Sequence, residues 1–385
     1  MRTKLARYGK TVTGVLATGL IFSHASVAFQ FSRLPGFLEY FGKYPPVETV
    51  PTAHEQVLLQ RFRPRFFLDE NQEPFIDFYE DYIAQGYLAD EKGGVIADDV
   101  DQPLLNEYKD DTGVVFVHVP ESRSTKRVVY ARIDYDTLDA HGASADLTFL
   151  TYNLVFRHSG LPAGLSRWKK IMLRIVASTR DWHQLDHYVA MTLALTADGA
   201  PLAVSLQQHN YQTTYIIGKD IPTPSDGRLA LDVALSSNEL YPHSATRTEH
   251  RAVSFMSVES AHYLITGEKP PRLAGDDVTN GVKEVEYELK FLPPADAFYR
   301  FQGKLGETRK LPGRDGPPGA DYNTIPALKP KATAMVVFYR RPNDAEYVNL
   351  LRAWRGSLDS TLQADVMARY VERFAEDLQS VYGRL

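Results

Sequence analysis

The sequence predicts a mainly β protein, an antiparallel β-sandwich with peripheral helices and a C-terminal helix. Three patterns predict it. Between residues 113 and 292, short runs of β-formers alternate with turn residues, at 113–119, 127–134, 147–156, 188–195, 202–208, 211–217, 252–258 and 282–292. Spacing of this kind favours antiparallel sheets over alternating strand–helix units. Two of these runs flank Asp198-Gly199, a hairpin turn signal. Near the end, Leu362, Val366, Tyr370, Phe374 and Leu378 recur at spacing four behind Asp359-Ser360, the stripe and cap of one amphipathic helix.

At the start of the chain, Arg2, Lys4, Arg7 and Lys10 precede an apolar stretch at 12–22 and the small residues Ser26-Val27-Ala28. That is the plan of a cleaved signal peptide over residues 1–28, because the apolar stretch is far short of the roughly 20 residues a membrane span needs. Export places the mature chain in the periplasm or outside the cell. Residues 29–52 hold Leu34-Pro35-Gly36 and Tyr44-Pro45-Pro46, a Pro-containing lead-in. A short helix is expected over 53–60. An edge strand over 61–68 follows, since Pro64 removes a ladder donor, and it stops at Asp69-Glu70-Asn71. Trp168, Ile171, Met172 and Ile175 have helical spacing and predict a helix over 165–178 laid on the sheet. Residues 310–331, rich in Pro and Gly, read as a loop, and 332–339 as a last apolar strand. The β domain is thus expected over 53–340, with a helical segment, 341–385, packed on it.

The chain has 385 residues, no cysteine and a formal charge of -5. Without cysteine there is no disulfide framework, no thiolate catalysis and no cysteine-ligated metal. Loss of residues 1–28 removes four basic residues and no acidic one, so the mature chain carries -9. That balance argues against nucleic acid as the main partner. Aromatic residues make up 11% of the chain, enough to fill a sizeable core. No second apolar stretch approaches the length of a span, so a soluble mature protein is expected, with peripheral membrane contact open to it.

The segment richest in chemistry is 181–211. Asp181-Trp182-His183-Gln184-Leu185-Asp186-His187 leads into one apolar run, and the return run ends Gln207-Gln208-His209. Centring the hairpin on Asp198-Gly199 pairs Leu195 with Leu202, Leu193 with Val204 and Met191 with Leu206, an apolar face. The other face then carries Ala194 with Ala203, Thr192 with Ser205, Ala190 with Gln207 and Tyr188 with His209. Small side chains leave space, and the polar groups gathered at its open end, Tyr188, Gln207 and His209, make a candidate ligand site. Asp186 shares this face; a slip of one residue would exchange it for His187.

Six of the eleven histidines fall in one stretch, His183, His187, His209, His243, His250 and His262, near Asp181, Asp186 and the pair Asp276-Asp277. Imidazole with carboxylate is the usual ligand mix for one divalent cation, so Asp181, Asp186, His187, His209 and His262 are the candidate metal ligands. His183-Gln184-Leu185-Asp186-His187 also has the spacing of an inverted zincin motif, but with Asp for Glu and in a strand context. No nucleophile elbow, Walker loop or dinucleotide fingerprint is present, and Ser257 or Ser260 with His262 is a chance-level coincidence of common residues.

Three segments resemble the vacuolar protein sorting-associated protein 62 family in its bacterial members, and through it the necrosis-inducing secreted proteins of plant pathogens. They are the stretch from Leu59-Gln60-Arg61-Phe62 to Asp69-Glu70, Asp181-Trp182 with Gln207-Gln208-His209, and Glu259-Ser260-Ala261-His262-Tyr263. The likeness covers about residues 55–285. Where that family has Asp-Trp-Glu-His, this chain has Asp181-Trp182-His183-Gln184, which leaves Asp186-His187 as a rival match. The resemblance implies a β-sandwich holding a divalent cation at one end, with Asp181, His209 and His262 at the matching positions. In the necrosis-inducing proteins such a site supports recognition of a sugar-bearing lipid.

The expected function is therefore an exported protein that binds a polar ligand, a glycan or lipid headgroup, through a cation-supported site. A metal-dependent hydrolase with Asp186 or His187 as general base, and an interaction protein with no site, stand as alternatives.

Overall fold

The computed structural model describes residues 47–119, 126–140, 143–158, 160–168, 170–171, 185–208, 211–251, 276–306, 317–323, 331–337, 339 and 360–382. The signal segment, most of the lead-in and the run 252–258 lie outside them. In chain order the elements are α1 (Ala53–Arg61), β1 (Arg65–Leu68), α2 (Phe78–Asp81), a 3-10 turn (Ile83–Gln85), β2 (Gly86–Asp90), β3 (Val95–Ala97), α3 (Gln102–Glu107) and β4 (Val114–His118). Then come β5 (Val128–Ala140), β6 (Ala143–Phe156), β7 (Asp186–Leu195), β8 (Pro201–Gln208), β9 (Tyr211–Ile216), β10 (Ala230–Val233), β11 (Leu240–Pro242) and β12 (Thr248–Arg251). The remainder comprises β13 (Asp276–Thr279), β14 (Lys283–Val285), β15 (Glu288–Phe291), α4 (Ala297–Arg300), β16 (Lys304–Leu305), a second 3-10 turn (Ala320–Asn323), α5 (Lys331–Val337) and α6 (Ser360–Tyr382).

The protein is mainly β, as the sequence predicts, but its sheets are mixed. Strand order is β15-β5-β6-β7-β8-β9 in the largest sheet, β11-β10-β1-β14 and β16-β4-β2-β3 in two smaller ones, and β12-β13 in a ribbon. The pairs β1–β10, β5–β15 and β4–β16 are parallel, whereas hairpin neighbours are antiparallel. Local turn signals specify hairpin partners; they carry no information on strands that arrive at a sheet edge from far along the chain.

The hairpin register is the predicted one over most of its length, with Ala194 on Ala203, Thr192 on Ser205, Leu193 on Val204 and Met191 on Leu206. Leu195 instead faces Pro201, because the turn holds a Gly199 at φ 78° and closes with Thr196 bonded to Ala200, which inserts a bulge beside the turn.

Alternate residues of the large sheet, among them Val129, Leu150, Tyr152, Met191, Leu193, Val204 and Leu206, enter one apolar cluster together with Phe66, Leu231, Val233, Leu240 and Val285 of the β1 sheet. At roughly 25 cal/mol per Å2 of apolar area removed from water, this shared layer is the main source of stability.

Several elements depart from expectation for identifiable reasons. The run 61–68 is helix as far as Arg61 and then an interior strand, β1, between β10 and β14. Pro64 sits just before the strand, so it removes no ladder bond. Residues 331–337 form helix rather than strand: Ala332, Met335 and Val336 are buried at helical spacing, and this packing outweighs the β preference of Thr333, Val336 and Val337. The run 282–292 splits into β14 and β15. Of the helix expected over 165–178, residues 172–178 lie outside the described residues, and Trp168 and Ile171 are exposed rather than laid on the sheet.

In α6, Phe374, Ala375 and Leu378 are buried, the Phe374 ring lies 5.2 Å from that of Tyr339, and Asp377 binds both Tyr339 Oη and Lys219. Among the described residues no helix is long and apolar enough to cross a membrane.

The second face of the large sheet carries a buried polar row. Register places Arg132, Thr151, Thr192, Ser205 and Thr214 in one row across β5 to β9, with hydroxyl pairs at 3.2 Å (Thr151–Thr192) and 2.7 Å (Ser205–Thr214). Arg132 anchors the row. Its guanidinium donates to both carboxylate oxygens of Asp321, at 2.8 and 2.7 Å, and lies 4.1 Å from the centre of the Tyr299 ring. Burial alone would push the Asp321 carboxyl up, but Arg132 outweighs it and holds the group well below the usual carboxylate range.

Truncating one partner of such a pair strands the other, at a cost of about 3–5 kcal/mol. Arg132→Ala is thus expected to lower the urea midpoint by that amount without changing the slope. Because the Asp321 carboxyl is depressed in the folded state, the pair's contribution is complete above the unfolded carboxylate pKa of about 4 and is lost as pH falls below it. Acid titration of Arg132→Ala should accordingly show a shallower loss of stability below pH 4 than the unsubstituted chain.

Candidate polar site at the open end of the hairpin

Strand β7 enters the sheet through a break in register. Leu154 pairs with Val189 but Phe156 pairs with Asp186, so one extra residue of β7 is accommodated between them. A bulge of this kind re-aims the side chains on either side of it. Asp186 is turned away from the face of Ala190 and Gln207, while His187 and Tyr188 both go to the layer beneath α2 and α4.

His187 has no exposed surface; its ring lies parallel to Phe78 at 5.9 Å and edge-on to Phe298 at 5.4 Å. Tyr188 is buried in the same aromatic layer, and burial, reinforced by Asp186 and Glu239, raises its phenol well above the ordinary value. Gln207 is buried on β8, where its Oε1 accepts from Gln212 Nε2 at 3.3 Å. Asp181, His209 and His262 lie outside the described residues, as does His183. The neighbour of His209, Gln208, donates from Nε2 to the Leu240 carbonyl at 2.9 Å, which ties the open end of the hairpin to the start of β11.

Asp186 is met by the loop between β10 and β11. Two residues of that loop that are not glycine, Ser236 and Asn238, have φ of 70° and 66°. Such conformations cost about 1–2 kcal/mol each, and Asn tolerates them better than most residues. The conformation lets one side chain do three jobs. Asn238 Nδ2 donates to Asp186 Oδ2 at 2.8 Å and to the His158 carbonyl at 2.9 Å, and Asn238 Oδ1 accepts from Gln72 Nε2 at 2.8 Å. Gln72 Oε1 in turn accepts the Ser236 N–H at 2.7 Å.

The neighbours of Asn238 extend the cluster. Ser237 Oγ donates to Asp277 Oδ1 at 2.6 Å, and Tyr241 Oη donates to the other Asp277 oxygen at 2.7 Å. Glu239 is itself buried, and with Asp277 it adds to the effect of burial in raising the Tyr241 phenol. Three consecutive residues, Ser237, Asn238 and Glu239, therefore hold or supply the carboxylates of Asp277, Asp186 and Glu239, all almost fully buried. Oxygen donors concentrated at low dielectric are the chemistry of a hard divalent cation. Among the described residues alone no three such groups stand close enough to form a complete metal site.

Of the sequence candidates, the structure brings Asp186 into this cluster, and places Gln207 on the far face and His187 and Tyr188 in the aromatic layer, where the Tyr188 phenol still feels the charge of Asp186 and Glu239. His243 sits over the outer face of the β1 sheet, and His250, opposite Asp277 in the β12–β13 ribbon, stacks on the Tyr241 ring at 3.8 Å at the edge of the cluster. Sequence reasoning missed Gln72, Asn238 and Glu239. The usable signal was Ser236-Ser237-Asn238, a turn-former cluster between the apolar runs 229–233 and 240–241. Comparison with family models, with curated proteins and with solved structures finds no match for this chain.

Asn238→Gly keeps the backbone conformation and loses the three side-chain bonds; Asn238→Ala loses both. The expected result is that both variants are destabilised, the alanine variant by about 1 kcal/mol more, measured by chemical denaturation.

Proposed function

We propose that this chain is an exported binding protein that takes a polar ligand, a glycan or lipid headgroup, through a site supported by one divalent cation. In this reading the large sheet and the β1 sheet are the two layers of a sandwich, and the site lies at the rim where the hairpin opens. Asp186 is the carboxylate ligand from the described residues; Asp181, His209 and His262 complete the set, as the resemblance to the vacuolar protein sorting-associated protein 62 family implies. Export rests on the basic, apolar and small-residue order of residues 1–28.

The observation that carries the reading is the β10–β11 loop, whose positive φ at Ser236 and Asn238 accompanies the bonds by which Ser237 and Asn238 hold the buried carboxylates of Asp277 and Asp186, with buried Glu239 next in the chain. Strain maintained at a polar cluster is more readily explained by a ligand than by stability, which the strain lowers. The core position of His187, with its ring between Phe78 and Phe298, removes it from service as a base open to water and favours binding over hydrolysis at this site.

Plasma mass spectrometry of the purified protein after dialysis against zinc, manganese or calcium tests the proposal. About one bound ion per chain is expected. Asp186→Asn and His209→Ala are each expected to lower occupancy at least tenfold at the same ion concentration. Equal metal content in all three proteins, or none in any, contradicts it.

A further inference from the structure

We propose that Asp232 and His243 form a general-base site on the outer face of the β1 sheet, separate from the hairpin site, that hydrolyses an ester. Register puts Tyr241, Asp232, Phe67 and Glu284 in one row across that sheet, on the side opposite the apolar cluster. His243 folds back over the row from the end of β11, and its ring stacks on Phe67 with centres 4.0 Å apart. Nδ1 stands 2.6 Å from Asp232 Oδ1, and the second oxygen of Asp232 accepts the Ser244 N–H at 2.9 Å. The carboxylate side chain is wholly buried, whereas the imidazole keeps 26% of its surface exposed. Gly281 closes over the carboxylate: a Cβ at that position would collide with Asp232 Oδ1 and with Phe67 Cβ.

The ring is thereby held by two contacts, stacking on Phe67 and the bond to Asp232, whose carboxylate is itself held by the Ser244 N–H. With Nδ1–H donating to Asp232, the lone pair is on Nε2 of a ring that is partly open to solvent, and among the described residues no hydrogen bond to Nε2 is seen. A buried carboxylate that orients an open imidazole is the base half of a hydrolytic site. The class of substrate follows from the hydroxyls that begin at the next residue. Ser244, whose N–H holds the Asp232 carboxylate, lies with its Oγ 3.4 Å from Thr246 Oγ1 and accepts from Thr248 Oγ1 at 3.2 Å, so a hydroxyl-bearing segment follows the base in the chain. Its hydroxyls suit the oxyanion that forms when water adds to a neutral carbonyl.

In the step, Nε2 takes a proton from water as the oxygen bonds to the ester carbonyl carbon. The bond from carbon to the leaving oxygen then breaks, and Nε2–H returns the proton to it, giving acid and alcohol. Charged groups around the ring are Asp232 beneath it, His250 on the neighbouring Tyr241 ring, and Arg65, which lies 5.3 Å from the centre of the Phe67 ring and is paired with Glu284.

The test is steady-state hydrolysis of p-nitrophenyl acetate by the full chain, with a pH profile. The unsubstituted protein is expected to exceed the rate of free imidazole at equal concentration, rising through one ionisation. His243→Ala and the near-isosteric His243→Gln should both fall to background. Asp232→Asn should lower kcat at least tenfold and displace the profile, which loss of packing alone would not do. Turnover should be the same with and without EDTA, so that this result and the metal result stand independently. A rate at background for the unsubstituted protein, or turnover retained in His243→Gln, overturns the proposal.

Discussion

The break in register where β7 meets β6 is the constraint on which the rest of the site depends. A strand has a side-chain period of two, so one accommodated residue reverses every assignment on its far side. Here it sends His187 into a layer of rings and releases Asp186 to the opposite side, within 2.8 Å of Asn238. Without it, the carboxylate would face Ala190 and Gln207, and Asn238 would lose its carboxylate partner.

That loop illustrates how a short segment organises a polar interior. Carboxylates removed from water are tolerated when their oxygens are met by donors. Asn238 and Ser237 meet two of them, and Gln72 braces the loop from a distant part of the chain. The positive φ at Ser236 and Asn238 is the local cost of that arrangement. On the other face of the large sheet, Arg132 and Asp321 solve a similar problem with a bidentate ion pair beneath a ring, and hydroxyls carry the row onward to Thr214. A buried polar row thus lies on one face of a sheet whose other face is mainly apolar, and α5, α6 and the second 3-10 turn pack against that sheet.

Much of this was legible in the residues. The Asp198-Gly199 turn fixed which face Met191, Leu193, Val204 and Leu206 would share, and the spacing-four stripe marked α6. That Asp186 would need a polar partner was legible, since it is a carboxylate at the foot of an apolar strand. The face it occupies was not, because a bulge leaves no mark in an alternating pattern until the partner strand is known. Parallel pairing was also hidden: β1 meets β10 across more than 160 residues, and nothing local encodes that contact. The short strands β10 and β11 escaped notice because three or four residues give too few alternations to read, and with them went Asn238, Glu239 and the partner of His243. The run 331–337 was misread because Ala, Met and Val in sequence serve a buried helix as well as a buried strand.

The most direct measurement on the central claim is an anomalous difference map from crystals of the protein grown with manganese. The account predicts a peak at coordination distance, about 2.0–2.6 Å, from an Asp186 carboxylate oxygen, beside the Ser237-Asn238-Glu239 loop. A map with no peak there, or with its main peak on a surface carboxylate far from β7, would contradict it.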